Sequence, residues 1–296
     1  MNLDKLTTEQ RNKNTMDLDT LSTIEILRLM NEEDQSVPAS VRKELSQIEK
    51  VVESVKQSFC RGGHLIYVGA GTSGRLGILD AAECVPTFSA DPSMVQGLIA
   101  GGISAMTVAV EGAEDSRSLG EEDLKNIHLT DKDTVLGIAA SGRTPYVIGA
   151  LEYAKKVGAT TASLACNKDA EISKHAEINI EVQVGPEILT GSTRLKSGTA
   201  QKLVLNMIST ASMIGIGKVY KNLMVDVKPT NDKLIERSKS IIMQATECSY
   251  QEADKAFHVA DKNVKLAIVM ILTNLSKEEA KQKLDDANGF IRKILE

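Results

Sequence analysis

From His64 to Val184 the chain alternates between short runs that are apolar throughout and longer stretches with helical spacing. Leu65–Val68, Val95–Ala100, Thr134–Ala139, Thr161–Ala165 and Ile178–Val184 are the candidate strands. Residues 74–84, 104–118, 145–156 and 169–175 carry the helical spacing between them, and a long helix is expected over about 196–216. A strand with one wet face alternates polar and apolar residues, so strands without that alternation must be covered on both sides. Strands separated by helices pair in parallel through crossovers. The pattern predicts an α/β fold, a parallel five-stranded sheet with helices on both faces, and in such sheets ligands sit at the carboxyl ends of the strands.

The flanks lack this pattern. The N-terminus is a polar arm followed by two helices: the first opens with the capping box Ser22-x-x-Glu25, and the second runs through Val41, Leu45, Ile48, Val52 and Val55 beyond Pro38. In the last sixty or so residues two more capping boxes, Ser249-x-x-Glu252 and Ser276-x-x-Glu279, flank the apolar run Val264–Leu272, which indicates a small bundle of three or four helices. The expected division is residues 1–60, 61–235 and 236–296.

The stretch GAGTSGRLG, Gly69 to Gly77, follows the first strand and satisfies the glycine pattern of a dinucleotide-binding turn. Backbone N–H groups at a helix N-terminus attract any anion, so the glycines do not identify the ligand. A dinucleotide site also needs an acid about 20 residues on, at the end of a second strand, to hold the ribose. Asp91 has the offset but no strand precedes it, and the strand VQGLIAGG ends in glycines without an acid. A second turn, Ala140-Ser141-Gly142-Arg143-Thr144-Pro145, follows the third strand with two hydroxyl residues flanking a glycine. Either turn by itself reads better as an ordinary helix cap. Two of them on one sheet favour a single phosphate on a small polar ligand.

Net charge is −5, from 35 basic and 40 acidic residues, and the basic residues are scattered. Nucleic-acid and membrane-surface partners want a concentrated positive face, so both are disfavoured. Absence of Trp and an aromatic content of 3% argue against base stacking. The N-terminus MNLDKLTTEQRNKN has no apolar signal core, and Val264–Leu272 is too short to span a bilayer, so a cytoplasmic location is expected. Cys60, Cys84, Cys166 and Cys248 are widely spaced and read as reduced, buried thiols; His64, His128, His175 and His258 occur singly, without metal-ligand spacing.

The glycine turn paired with SGRT resembles the sugar isomerase domain. GAGTSGRLGILDAAECVPTF, AVEGAEDS, GIAASGRTPYV, GPEILTGSTRLKSGTAQKLVLNMIST and NLMVDVKPTNDKL, with TEQRN near the start, resemble the N-acetylmuramic acid 6-phosphate etherase family in order and spacing across the whole chain. The stretch 185–210 also resembles the glucokinase regulatory protein, and the C-terminal helices look like a ubiquitin-associated-type module. The resemblance implies cleavage of a lactyl ether on a phosphosugar by elimination and rehydration, with no metal or redox cofactor. It implies Glu83 and Glu114 as the catalytic pair, with Glu83 the preferred acid and Glu114 the preferred base. It also implies substrate contacts from Gly71, Thr72, Ser73, Ser141, Gly142, Arg143, Thr144, Ser192, Thr193 and Lys196, with Arg194 a further cation. The partner is a small phosphosugar, and a homodimer is expected in which Arg11 and Asn12 of the arm complete a neighbour's site.

From the residues alone the acids are less defined. Glu83 lies nine residues past Gly74, about 13 Å along a helix, among Ala82, Cys84 and Val85, which would raise its pKa if the site were buried. A solvated helix carboxylate fits the same pattern. Glu111, Glu114 and Asp115 form an acidic cluster, with Glu111 and Glu114 expected on one helix face, and local pattern does not choose among them. The alternatives to the etherase are a non-catalytic phosphosugar sensor, which has no use for the two carboxylates, and an aldose–ketose isomerase, which releases no lactate.

Overall fold

The computed structural model describes residues 6–108, 110–229 and 231–296; the first five residues of the arm, and Ala109 and Thr230 from two of the motifs above, lie outside them. The chain forms two compact units, one comprising the chain up to Ala81 with Ser93–Ser209, the other Ala82–Pro92 with Thr210–Glu296.

The first unit holds a five-stranded sheet of β1 (Leu65–Gly69), β2 (Val95–Ile99), β3 (Thr134–Ile138), β4 (Thr160–Ala165) and β5 (Ile178–Glu181). Its order is β2-β1-β3-β4-β5 and every pairing is parallel. All five residues of β1 and of β3 are buried. Because successive side chains point to opposite faces, this requires cover on both sides of the sheet. The helix α3 (Leu45–Cys60) packs against β1, β3 and β5, and α6 (Pro145–Val157) against β1, β3 and β4. Ile66, Val68, Val135, Tyr146, Val147 and Leu151 fill the layer under α6. Each such side chain contributes about 1.5–3 kcal/mol of burial.

Several elements differ from the sequence reading. Pro38 does not separate two helices. It sits in the first turn of α2 (Ser36–Arg42), between α1 (Thr23–Asp34) and α3. A first-turn N–H has no helical partner to lose, so proline is tolerated there. The helix α4 (Gly71–Phe88) runs through Pro86 rather than stopping at it. The expected helix over 104–118 does not form. Short 3-10 turns at Ile103–Met106 and Ala113–Asp115 stand in its place, and the left-handed Gly112 (φ 74°) interrupts the stretch. A polar helix, α5 (Arg117–Asn126), begins at Ser116, whose hydroxyl accepts from Leu119 N–H. Residues 171–175 form a 3-10 turn. The cysteines form no disulfide, but Cys60 is exposed and Cys248 half-buried, against the expectation that all four are buried. An apolar position is not guaranteed by residue type at a helix end such as that of α3.

The long helix α7 (Lys196–Gly215) spans the end of the first unit and the start of the second. In the second unit a two-stranded hairpin, β6 (Val219–Tyr220) and β7 (Leu223–Met224), precedes, among the described residues, five helices rather than three or four: α8 (Asp232–Thr246), α9 (Tyr250–Val259), α10 (Val264–Thr273), α11 (Lys277–Asp286) and α12 (Ile291–Leu295). The expected apolar run is α10, which packs against α8, α9, α11 and α12. Both capping boxes of this region form, with Ser249 and Ser276 N–H donating to Glu252 and Glu279. Within α10, Lys265 is buried and donates to Asp226 Oδ2 at 2.7 Å and to Gly217 O at 2.8 Å. Burial lowers its pKa against the opposing pull of Asp226.

Candidate active site

The first turn joins β1 to α4 through Ala70 alone. So short a link needs contact between strand end and helix start, and the glycines supply it. A Cβ on Gly74 would lie 2.7 Å from Gly69 O and 2.6 Å from Ile99 Cγ1. The helix N-terminus is thereby held at the carboxyl edge of the sheet, where its N–H groups favour an anion. Ser73 is buried and its hydroxyl donates to Gln201 Oε1 on α7 at 3.1 Å. Thr72 is half-buried. A Cβ on Gly198 would lie 3.5 Å from Thr72 Cγ2 and 3.7 Å from Thr193 O, so the 191–194 turn lies beside the glycine turn.

The second turn follows β3. Gly142 N–H donates to Ala139 O and Gly142 O accepts from Ile172 N–H, both at 2.9 Å. Gly142 has φ 75°, and a Cβ there would stand 2.5 Å from Ala170 Cβ. Only glycine meets both demands. Thr144 is the N-cap of α6, and Pro145 occupies its first position. Ser141, Arg143 and Thr144 keep partly exposed side chains, as a ligand-facing turn requires.

The third segment leads into α7. Glu187 is 0% exposed. Its carboxylate accepts from Lys196 N–H at 2.8 Å, Ser197 N–H at 2.9 Å and the Ser197 hydroxyl at 2.8 Å, which satisfies the start of α7. Lys196, expected to face substrate, is instead buried, with its Nζ 2.6 Å from Glu33 Oε2 of α1. Glu33 also accepts from Asn12 and Asn14. Burial opposes its charge, but the hydrogen bonds from Lys196, Asn14 and Asn12 outweigh burial and hold its pKa below the usual carboxylate value. Ser192 and Thr193 are half-buried and Arg194 is exposed. Asn12 is buried against its own chain, donating to Glu33 and to Pro186 O, while Arg11 is exposed.

Glu114 and Gly71 border one cavity of about 310 Å³, together with Arg75, Ala100, Ala105, Val110, Glu111 and Gly112. The Arg75 guanidinium is fixed there by donating to Met106 O at 2.9 Å and Ala105 O at 2.8 Å. Glu111 and Glu114 do not share a helix face, since Gly112 breaks the segment, yet both reach this cavity. Glu83 lies on the part of α4 that belongs to the second unit, and it and Ala82 are exposed. The apolar burial expected around Glu83 is therefore not present in this chain. The buried carboxyl on α4 is Asp80, which accepts from Tyr67 Oη at 2.8 Å and Ser209 Oγ at 3.1 Å. Burial raises its pKa more than those bonds and Lys202 lower it.

Arg75, Glu187 and Asn167 were not singled out from the sequence. Arg75 sits inside the glycine motif, where its position was a usable signal; the partners of Glu187 and Asn167 left no local pattern. His64, His175 and His258 each stand beside a carboxylate, Asp133, Glu152 and Asp254 respectively.

A parallel sheet whose glycine and hydroxyl turns gather at its carboxyl edge is the architecture of a sugar isomerase (SIS) domain. Residues 45–155 match the glucokinase regulatory protein N-terminal SIS domain, and residues 103–211 match the SIS domain. A phosphoheptose isomerase from Francisella tularensis shares the fold, with a TM-score of 0.53 at 14% identity, covering 66% of this chain and 100% of that one. Over 295 residues, and 100% of both chains, the sequence is 72% identical to N-acetylmuramic acid 6-phosphate etherase 2 of Lactiplantibacillus plantarum. It is 69% identical to the Enterococcus faecalis protein of the same name, again over 100% of both chains. The chain belongs to the N-acetylmuramic acid 6-phosphate etherase family.

Proposed function

We propose that the protein cleaves the D-lactyl ether of N-acetylmuramic acid 6-phosphate, yielding N-acetylglucosamine 6-phosphate and D-lactate in the recycling or catabolism of cell-wall amino sugars. The full-length identity of 72% to a named etherase carries this reading. An alkyl ether resists direct displacement, but in the open-chain sugar the C1 aldehyde acidifies the C2 proton. Glu114 takes that proton, the C3–O bond breaks, and Glu83 protonates the departing lactate oxygen. Water then adds at C3 of the unsaturated aldehyde and a proton returns to C2. The scheme needs one carboxyl group to accept a proton and the other to donate one, and it balances without metal or redox cofactor.

The position of Glu114 on the cavity that includes Gly71 supports its assignment, because a base must stand beside the sugar whose phosphate the turn holds. The phosphosugar is held by Gly71, Thr72, Ser73, Ser141, Gly142, Arg143, Thr144, Ser192 and Thr193. Lys196 acts with them only if its pair with Glu33 opens. The phosphosugar-binding domain is assigned to residues 61–235, of which 82–92 and 210–235 belong to the second compact unit. The enzyme works in the cytoplasm; among the described residues no helix is long and apolar enough to cross a membrane. It works as a homodimer, a reading supported in the first unit by the exposure of Ile24, Leu27, Leu79 and Met207.

The test is incubation of purified protein with N-acetylmuramic acid 6-phosphate and assay of D-lactate. Release that disappears in Glu83→Ala and Glu114→Ala, with circular dichroism unchanged, is the expected result. Binding of the sugar phosphate with no lactate would replace the etherase by a phosphosugar sensor.

A further inference from the structure

Residues 7–15 are hydrogen-bonded to Asn167, which contacts the second turn, and to Pro186 and Ile188, which precede the third. The contact is centred on Asn167, which follows β4 and is 2% exposed. Its Oδ1 accepts from Thr7 Oγ1 at 2.9 Å and Thr8 N–H at 3.4 Å. Its Nδ2 donates to Thr8 Oγ1 at 2.9 Å, and to Ala140 O and Ser141 O at 3.3 Å each. One buried amide thus joins the arm to the second phosphosugar turn. Farther along, Thr15 Oγ1 donates to Ile188 O at 2.9 Å, fastening the arm to the segment before the third turn.

Two physical points make this more than a structural tether. The carbonyls of Ala140 and Ser141 share peptide planes with the N–H groups of Ser141 and Gly142. Holding Ser141 O keeps the Gly142 N–H in its bond to Ala139 O, and holding Ala140 O, which also accepts from Cys166 N–H at 2.9 Å, helps set where the Ser141 N–H of the SGRT turn points. Secondly, Leu6 is the one buried apolar residue described in the arm before α1, alongside buried Thr8 and Asn12. Docking rests mainly on polar contacts, for which water competes once the arm lifts, so it is reversible. If the arm leaves, Asn167 Oδ1 loses both partners inside the protein, and a buried amide with an unmet acceptor turns to find another.

We propose that Asn167 is a positioning residue that couples the N-terminal arm to the Ser141–Thr144 turn, so that phosphosugar binding and arm docking stabilise each other. The proposal rests on the phosphosugar reading of that turn. Coupling of this kind is reciprocal: a ligand that needs the ordered turn retains the arm, and a docked arm tightens the ligand.

The experiment uses the full chain with N-acetylglucosamine 6-phosphate as probe. Calorimetry gives its Kd, and trypsin cleavage after the exposed Arg11 and Lys13 reports the arm. Asn167→Ala removes the whole junction; Thr8→Val removes one acceptor in the arm and leaves the turn untouched, so it decides the matter if the first variant does not fold. Coupling of ordinary size predicts about tenfold weaker binding in Asn167→Ala and a smaller loss in Thr8→Val. In turnover the loss falls on KM, with kcat little changed. In wild type the sugar phosphate slows cleavage at Arg11; in Asn167→Ala it does not. If wild type binds the probe and both variants bind it equally well, with the same protection of the arm, the positioning role is overturned. Wild type that does not bind the probe would instead overturn the phosphosugar reading itself, and this proposal with it.

Discussion

Removing the Glu187 carboxylate tests how the third segment is built. It is fully buried and receives two backbone N–H groups and one hydroxyl at the start of α7. In Glu187→Ala those donors lose their acceptor where water does not replace it. Each buried unpaired donor costs about 1–3 kcal/mol, and a negative group at a helix N-terminus contributes roughly 0.3–2 kcal/mol more. With each donor at the low end of its range, because the Ser197 hydroxyl can turn and the site relaxes, a loss of about 3–5 kcal/mol is expected, which is large for a single substitution. Glu187→Gln keeps an oxygen for Ser197 but turns an N–H₂ toward the Lys196 N–H, so about half the loss is expected. Urea unfolding followed by circular dichroism measures both. With 2–4 °C per kcal/mol for a chain of this scale, thermal midpoints should fall by roughly 10 °C for Ala and half that for Gln. A Glu187→Ala loss under about 1 kcal/mol, or a Gln variant no better than Ala, would refute the account of this carboxylate as the cap of α7.

Gly142→Ala places a Cβ 2.5 Å from Ala170 at φ 75°. It should destabilise by about 2–3 kcal/mol, from backbone strain and overpacking together, and raise KM; unchanged stability and KM would contradict the turn geometry. Cys166 is fully buried with its thiol pushed up to about 12, while Cys60 is exposed. Thiol reagents on the native protein should modify Cys60 quickly and leave Cys166 until unfolding, which mass mapping of labelled peptides will show. The Asp80 pKa is raised from 3.8 by burial. A carboxyl raised on folding costs stability increasingly as pH climbs from its unfolded value through its folded value. Asp80→Asn should therefore gain stability relative to wild type as pH rises above the ordinary carboxylate range of about 4, and a difference that does not vary with pH counts against the assignment.

Strand positions were legible because each is a solid apolar run, and all five fall within a few residues of the expected bounds. The first-turn and second-turn chemistry was legible for a related reason: glycine, hydroxyl and proline each have a local backbone meaning. The false helix over 104–118 shows the limit of that reading. Ile103, Ala105, Met106 and Val108 have apolar spacing, yet a left-handed glycine at 112 outranks it. The real helix, α5, was missed because RSLGEEDLKN buries only Gly120 and Leu124 and carries almost no apolar stripe. At the site, Glu114 could not be separated from Glu111 by pattern, and the structure sends both to one cavity. Lys196 looked available because sequence does not display Glu33, which lies far away along the chain and neutralises it.

The arm has an awkward birth order. Thr7 meets its partner 160 residues later, Thr15 173 residues later and Asn12 174 residues later. At roughly 5–20 residues per second of synthesis, the arm leaves the ribosome some 8–35 s before its docking site is made. An apolar strap would spend that interval as a sticky end among other nascent chains. A strap of threonine, glutamine, arginine and asparagine stays in water at little cost, and then closes onto its own sheet once the last two strands are in place.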